Sequence, residues 1–332
     1  MALTRYRILE RLREAGGELV SGGELAQELD ISRTAVWKNI LSLQEEGYRI
    51  DTAANKGYRF LGGEVFSGYE VERRLETHTV GRQLYFLEEV DSTNSYIRQK
   101  AAEGAPDGAA AIARKQTGGR GRMSRKFESP PDVGVYLTIL LRPRLLAGEL
   151  NLVTLLAAVA ASDAIGELTG VCPDIKWTND LYLGGRKICG ILTECAVEGE
   201  TGAVDYAAVG IGMNLLQEEG DFPPELRGIA GSVLMGTGAR VSPADYAARL
   251  FRCFERYFYD GHFPENREEF LARYRERLFF LGREVMVCGL REQYPAVALD
   301  VDREGRLLVR KTDGTVAALN SGEISIRMPH RG

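Results

Sequence analysis

Apolar positions recur at helical spacing through the first sixty residues. Leu3, Tyr6, Leu9 and Leu12 share one face, and Gly16-Gly17 ends that run. Ser21-Gly22-Gly23-Glu24 has the serine and glutamate of a capping box, which predicts a second helix over 23–29. Ser32 predicts the cap of a third over 33–46, with Val36, Ile40 and Leu43 inward and Gly47 past its end. "YRIDTAANKGYRF" then alternates on either side of Ala54-Asn55-Lys56-Gly57, the pattern of a hairpin. Helix, helix, tight turn, helix, hairpin is the order of a winged helix-turn-helix. In that motif the start of the last helix reads base edges. Ser32, Arg33, Thr34, Trp37 and Lys38 would do so here, with Lys56 and Arg59 of the wing on phosphate. A helical adaptor that touches no DNA would show the same pattern.

From Leu84 the period changes. "LYFLEEV", "AAAIARKQ", "GVYLTILLRP" and "YAAVGIGMNLL" read as strands, and 151–168 as a buried helix. "DIKWTNDLYLGGRKICGIL" predicts a hairpin, its first strand centred on 175–183 and its turn at Gly184-Gly185. Ser242-Pro243 opens a helix with serine as cap and proline in the first turn, and "ENREEFLARYRERL" is another. Beyond Gly282 short alternating strands predict a small barrel of ~50 residues. The fold class is therefore α+β and multidomain. The divisions fall at 1–63 for the winged helix, 64–280 for a central α/β domain and 281–332 for the barrel.

Composition narrows the classes. The 332 residues carry a net charge of −5, so a chain coated in nucleic acid along its length is excluded. Residues 1–62 hold nine Lys/Arg and nine Asp/Glu, so one copy of the winged helix should bind DNA weakly, and a dimer is the remedy. The five cysteines form no CxxC or His/Cys cluster; no zinc site and no disulfide framework is expected. The N-terminus lacks the apolar core of a signal peptide, and the expected location is the cytoplasm, without a membrane partner.

Against that acidic background, "RKQTGGRGRMSRK" carries six cations and no acid between Arg114 and Lys126. A solvated charge run is the plain reading. The glycines would let backbone N–H groups form an anion nest, and Arg120 and Arg122 have the fork that grips phosphate or carboxylate. Six like charges without an anion should leave the segment mobile. "DSTN", Asp91 to Asn94, looks like a helix cap, or like hydroxyls and an amide set to hold a neutral polar ligand head. Lys187, on a strand that continues into Ile188 and Cys189, could stabilise charge on oxygen, or merely pair with Asp180.

Taken together in this order, "SRTAVWKNI", "DSTN", "GRGRMSRKF", "KWTNDLYLGGRKICGIL" and "VGIGMNL" resemble the bifunctional biotin protein ligases that are also biotin operon repressors. The resemblance covers essentially the whole chain. It implies a central domain related to class II aminoacyl-tRNA synthetases and a C-terminal SH3-like β-barrel. It implies biotin and ATP as substrates, with Mg2+, and a biotinyl-5′-adenylate passed to a lysine of a carboxyl carrier domain. It implies biotin-binding positions at Ser92, Thr93, Asn94, Gln116, Arg120, Gly121, Arg122 and Lys187. On the ATP and adenylate side it implies Arg122, Arg125, Lys126, Phe127, Asn179, Lys187 and Asn214. Lys187, Arg120, Arg122 and Asp180 would carry catalysis, Asp180 positioning or deprotonating the incoming amine. Partners would be the carrier domain, operator DNA and a second copy of the chain, pairing when adenylate is bound. The chain departs from the family pattern at Ser124, often glycine, and at Phe127, often tryptophan. Cys189 is expected to be a small buried hydrophobe rather than a reactive thiol. A ligase without DNA binding, a ligand-sensing transcription factor and a lipoate ligase remain the competing readings.

Overall fold

The computed structural model describes residues 2–54, 56–63, 65–122, 125–289, 293–320 and 325–327; the side chains of Ala2, Leu3 and 325–327 lie outside that description. Asn55 of the hairpin turn and Ser124 fall outside it too. The chain divides into two compact units, 1–70 and 71–332.

The first unit contains α1 (Ala2–Glu14), α2 (Gly22–Glu28), α3 (Arg33–Glu45) and a hairpin of β1 (Arg49–Ala53) with β2 (Gly57–Gly62). Its core is Ile8, Leu9, Leu12, Leu25, Val36, Ile40 and Leu43, closed by Tyr48 and Ile50. The predicted inner face of α3 is therefore the buried one. Ser32 Oγ accepts from Ala35 N at 3.1 Å, so this hydroxyl caps α3. The capping box at Ser21 is only half formed. Ser21 Oγ accepts from Glu24 N at 3.0 Å, but the Glu24 carboxylate turns instead to Arg11 at 2.8 Å. An ion pair in reach outcompetes the backbone N–H for that side chain.

Helix α4 (Gly68–Glu72) leads into the second unit, which holds a seven-stranded sheet. Its elements, in chain order, are β3 (Leu84–Val90), α5 (Thr93–Ala102), β4 (Ala110–Gln116), β5 (Gly134–Leu141) and α6 (Leu150–Thr169). Then come β6 (Asp174–Lys176), β7 (Asp180–Leu183), β8 (Arg186–Val197), β9 (Val204–Asn214), α7 (Val233–Thr237), α8 (Pro243–Glu255) and α9 (Arg267–Glu276). The strand order is β3-β4-β5-β9-β8-β7-β6, with β3 and β4 parallel and the other neighbours antiparallel. Helix α5 packs against β4, β5 and β9. Helix α6 packs on β8, α8 and α9, with Thr154 Oγ1 2.8 Å from Thr193 Oγ1. The helical stretch Ala147–Thr169 is long and apolar enough to cross a membrane, but 78% of its apolar window is buried in this core. Asp163 on α6 is buried with the Tyr257 hydroxyl 2.5 Å away and Arg277 beside it, which ties the helices together.

One predicted strand is corrected. The stretch 175–183 is two strands, β6 and β7, interrupted at Trp177-Thr178-Asn179, where the Trp177–Thr178 peptide is cis. The polar run Thr178-Asn179-Asp180 marks the break in the alternation. The excursion has its own anchors: Trp177 Nε1 donates to Gly305 O at 3.2 Å, and Tyr274 Oη donates to Thr178 O at 2.9 Å.

The C-terminal strands are β10 (Glu284–Cys288), β11 (Gln293–Val301), β12 (Leu307–Lys311), β13 (Val316–Leu319) and β14 (Ser325–Arg327). They form an antiparallel sheet ordered β13-β12-β11-β10-β14, a meander whose last strand returns beside the first.

Candidate active site

The site lies where α5 meets the sheet. Ser92, Thr93 and Asn94 stand at the N-terminal end of α5. Ser92 holds the N-cap position but its side chain makes no capping bond, which corrects the reading of "DSTN" as a side-chain cap. Thr93 N and Thr93 Oγ1 both donate to Gln116 Oε1, at 2.9 and 3.1 Å. Gln116, at the end of β4, in turn donates to Ser129 Oγ at 3.0 Å. The local sequence thus builds a small polar pole of hydroxyls and amides with no formal charge.

Opposite stand the cations and their partners. Lys187, at the start of β8, places Nζ 2.6 Å from Asp180 Oδ1 on β7. The lysine is therefore paired, as one reading had it, and it also lines the cavity. Its backbone is pinned from outside by 229–231, since Lys187 N donates to Ile229 O at 2.9 Å and Gly231 N to Lys187 O at 2.8 Å. Arg122 Nη1 reaches Asn179 Oδ1 at 3.2 Å and Thr178 Oγ1 at 3.4 Å. Burial pushes the Arg122 guanidinium below its ordinary value, and the nearby Asp180 charge opposes that shift. Asn179 is fixed to β8 by a 2.8 Å bond to Ile191 O. Asn214 lines the far side, its amide bonded to Gly231 O at 3.0 Å and to Gln217 at 3.1 Å.

The cationic segment differs from expectation in two ways. Its charges are not six unpartnered cations. Arg114 pairs with Glu88 and Asp132, Lys115 with Glu89, and Lys126 with Glu128. Nor is it an open nest. Gly118 N donates to Asp91 O at 2.8 Å and Gly121 N to Arg125 O at 2.7 Å, so these N–H groups are already satisfied within the chain. The segment doubles back, with Arg120 bridging Lys126, and Arg120 hydrogen-bonds Ser95 Oγ. Toward the cavity it presents Arg120, Gly121, Arg122, Arg125, Lys126 and Phe127.

The floor of the cavity comes from glycines on two strands. Gly190 on β8 pairs with Gly212 on β9. A Cβ on Gly212 would stand 2.6 Å from the Phe127 ring, which lies edge-on to Tyr136 with centroids 6.4 Å apart. Gly210 gives Asn94 its room in the same way, since a Cβ there would be 2.1 Å from Asn94 Oδ1.

The cavity volume is about 350 Å³, within the range of small-molecule sites. All fourteen residues expected for biotin, nucleotide and catalysis line it: Ser92, Thr93, Asn94, Gln116, Arg120, Gly121, Arg122, Arg125, Lys126, Phe127, Asn179, Asp180, Lys187 and Asn214. Sequence reasoning missed the glycine floor and the apolar wall of Phe222, Leu226 and Ile229. Alternate glycines in "VGIGMN" were a usable signal of close approach on a strand; the wall, in a loop with no motif, offered none. Cys189 is fully buried and burial pushes its thiol up, which leaves it a packing residue.

In the first unit, Arg33, Thr34, Trp37 and Lys38 are exposed along α3, Trp37 to 50%. Lys56 is exposed as well, but Arg59 is paired across the hairpin with Asp51 at 2.7 Å, which offsets its charge toward phosphate. Ser32 has its hydroxyl engaged as the cap.

Comparison with known proteins agrees with this geometry. The family described as "HTH domain" matches residues 4–59, "Biotin/lipoate A/B protein ligase family" matches 86–214, and "Biotin protein ligase C terminal domain" matches 280–327. The bifunctional ligase/repressor BirA of Bacillus subtilis is 34% identical over 324 residues, which covers 97% of this chain and 98% of that protein. The Escherichia coli protein of the same name is 29% identical, with 94% of each covered. Among solved structures, the biotin protein ligase from Aquifex aeolicus in complex with biotin and ATP superposes with a TM-score of 0.61 at 27% identity, covering 74% of this chain and 99% of that one. A chain matched from end to end, with a polar pole, a paired lysine and a helix-turn-helix in these places, belongs to the family of bifunctional biotin ligase/repressors.

Proposed function

We propose that this chain activates biotin with ATP and transfers the biotinyl group to a lysine of a biotin carboxyl carrier domain. With the adenylate bound, it represses biotin genes through its N-terminal unit. The observation that carries the reading is the convergence of the fourteen expected residues on one cavity, where hydroxyls and amides of α5 and β4 meet Arg120, Arg122 and Lys187.

In the first step a biotin carboxylate oxygen bonds the α-phosphorus of ATP and pyrophosphate leaves. Both reactants are anions, so fixed cations must offset their repulsion. Lys187, Arg120 and Arg122 take that role, with Lys187 leaving Asp180 to meet the carboxylate and the adenylate phosphate. Ser92, Thr93, Asn94 and Gln116 form the pole for the head of biotin, with Arg120, Gly121 and Arg122 over it. Arg122, Arg125, Lys126, Asn179, Lys187 and Asn214 serve the nucleotide, with Phe127 against its adenine side. In the second step the carrier ε-amine attacks the anhydride carbonyl and AMP leaves. Asp180, released from Lys187, positions that amine or takes its proton. Magnesium enters on the triphosphate. It would be held largely by phosphate oxygens and water.

For repression, Ser32, Arg33, Thr34, Trp37 and Lys38 face the bases, and Lys56 and Arg59 the phosphates. Equal counts of acid and base in 1–62 make one copy a weak binder, and adenylate-bound copies pair on a two-fold operator. The working division is winged helix 1–63, ligase 64–280 and C-terminal sheet 281–332, acting in the cytoplasm.

The test is incubation of the full chain with ATP, biotin and an apo carrier domain, beside octanoate and lipoate. Label transfer from biotin alone is expected; none would sink the ligase reading, and preference for lipoate would change the substrate. A footprint upstream of biotin genes, seen only with adenylate, tests repression. Sedimentation with and without adenylate tests pairing, and equal dimer affinity would overturn the coupling.

A further inference from the structure

An asparagine side chain has two N–H donors and one carbonyl oxygen. In Asn94 both donors are used inside the protein: Nδ2 reaches Leu192 O at 3.1 Å and Glu194 Oε2 at 2.8 Å. Its Oδ1 accepts from Thr138 Oγ1 at 2.7 Å. The amide cannot be turned over, because its oxygen would then face a carbonyl and a carboxylate. Asn94 is 4% exposed, and Gly210 behind it has no room for even a methyl group. The side chain is a peg between α5 and the sheet, with no donor left to offer a ligand.

The carboxylate that holds the peg is outside the cavity lining. Glu194 on β8 receives Asn94 and, at 3.4 Å, Arg98 one helical turn further along α5. Two holds on one helix fix its position and its rotation. Thr138 secures the same turn from β5, its hydroxyl lying 2.8 Å from Thr93 Oγ1. What this turn carries into the cavity is Ser92 and Thr93, and through Thr93 the Gln116 amide.

We propose that Glu194 is a positioning residue of the biotin pole: it locks Asn94, and so sets Ser92, Thr93 and Gln116 in place without touching substrate. The proposal rests on the ligase reading and deepens it. It separates the two poles. Without Glu194, a buried donor of Asn94 loses its acceptor and the first turn of α5 is free to shift. The nucleotide side, built on Asn179, Lys187 and Arg122, keeps its own bonds to β7 and β8.

The experiment is steady-state kinetics of the full chain, varying biotin and ATP separately. Losing a hydrogen bond to a charged acceptor should raise the biotin KM of Glu194→Ala about 10- to 100-fold. Its kcat and ATP KM should stay within about twofold of the parent. Glu194→Gln, whose amide oxygen still accepts from Asn94, should remain within about threefold of the parent in biotin KM. Thr138→Val loosens the same turn from the other side and should reproduce the split, which decides the matter if Glu194→Ala does not fold. The inference is overturned if biotin KM is unchanged in both alanine and valine variants, or if both KM values rise together. It is also overturned if Glu194→Gln is as impaired as Glu194→Ala. A parent chain that fails to transfer biotin overturns the ligase reading itself, and this inference with it.

Discussion

The cationic segment from Arg114 to Lys126 has flanks and a centre, and they are built differently. The flanks are tied to carboxylates: Arg114 to Glu88 and Asp132, Lys115 to Glu89, Lys126 to Glu128. At the centre, Arg120 reaches a serine hydroxyl, and Arg122 a threonine hydroxyl and an asparagine oxygen. An exposed ion pair adds little stability, but it cancels most of the charge that a ligand would meet. A guanidinium oriented by neutral oxygens keeps its charge aimed. The count of cations in a segment therefore says less than the kind of atom each one leans on.

That comparison can be broken in four places. The largest effect should come from Lys187→Ala, which removes the cation between the two anionic reactants. Adenylate formation, followed by pyrophosphate release, should fall about 1000-fold. Next is Arg122→Ala. Affinity for a biotinyl-adenylate analogue, read by titration calorimetry, should drop about 100-fold, as for a partly buried charge that loses its counterpart. Gly212→Ala comes third, because its Cβ would stand 2.6 Å from the Phe127 ring. The ring must move, with a loss of about 1–3 kcal/mol in thermal or denaturant unfolding. The smallest effect belongs to Lys115→Ala on the flank, with stability within about 0.5 kcal/mol of the parent. Were Lys115→Ala to weaken adenylate binding as much as Arg122→Ala, the division into flank and centre would be wrong.

What the sequence revealed followed from chemistry that is local. Ser32 and Ser242 cap helices because a serine oxygen can reach a backbone N–H three residues on, and both do. The inner face of α3 was legible from its period, and so were the strands that flank the cationic segment. What it concealed depends on register. Nothing adjacent in the chain announces that Asp51 lies opposite Arg59, or that Gly190, Gly212 and the Phe127 ring share one spot. The anchors of the break at Trp177 to Asn179, Gly305 and Tyr274, were hidden because they are distant in sequence. All fourteen expected site residues line one cavity, but the partners that hold them were not legible. Glu88, Glu89, Glu128 and Glu194 belong to no motif, yet they pair with Arg114, Lys115, Lys126 and Asn94.

The 2.6 Å contact between Lys187 and Asp180 has a consequence for turnover. A lysine with no internal partner would hold the first anion it met and release it slowly. Under the proposed ligase reading, an arriving carboxylate must take the lysine from Asp180, and a departing one gives it back. Binding is weaker for that exchange, by the free energy of parting the pair. The pair works as a return spring, resetting the site after each AMP leaves.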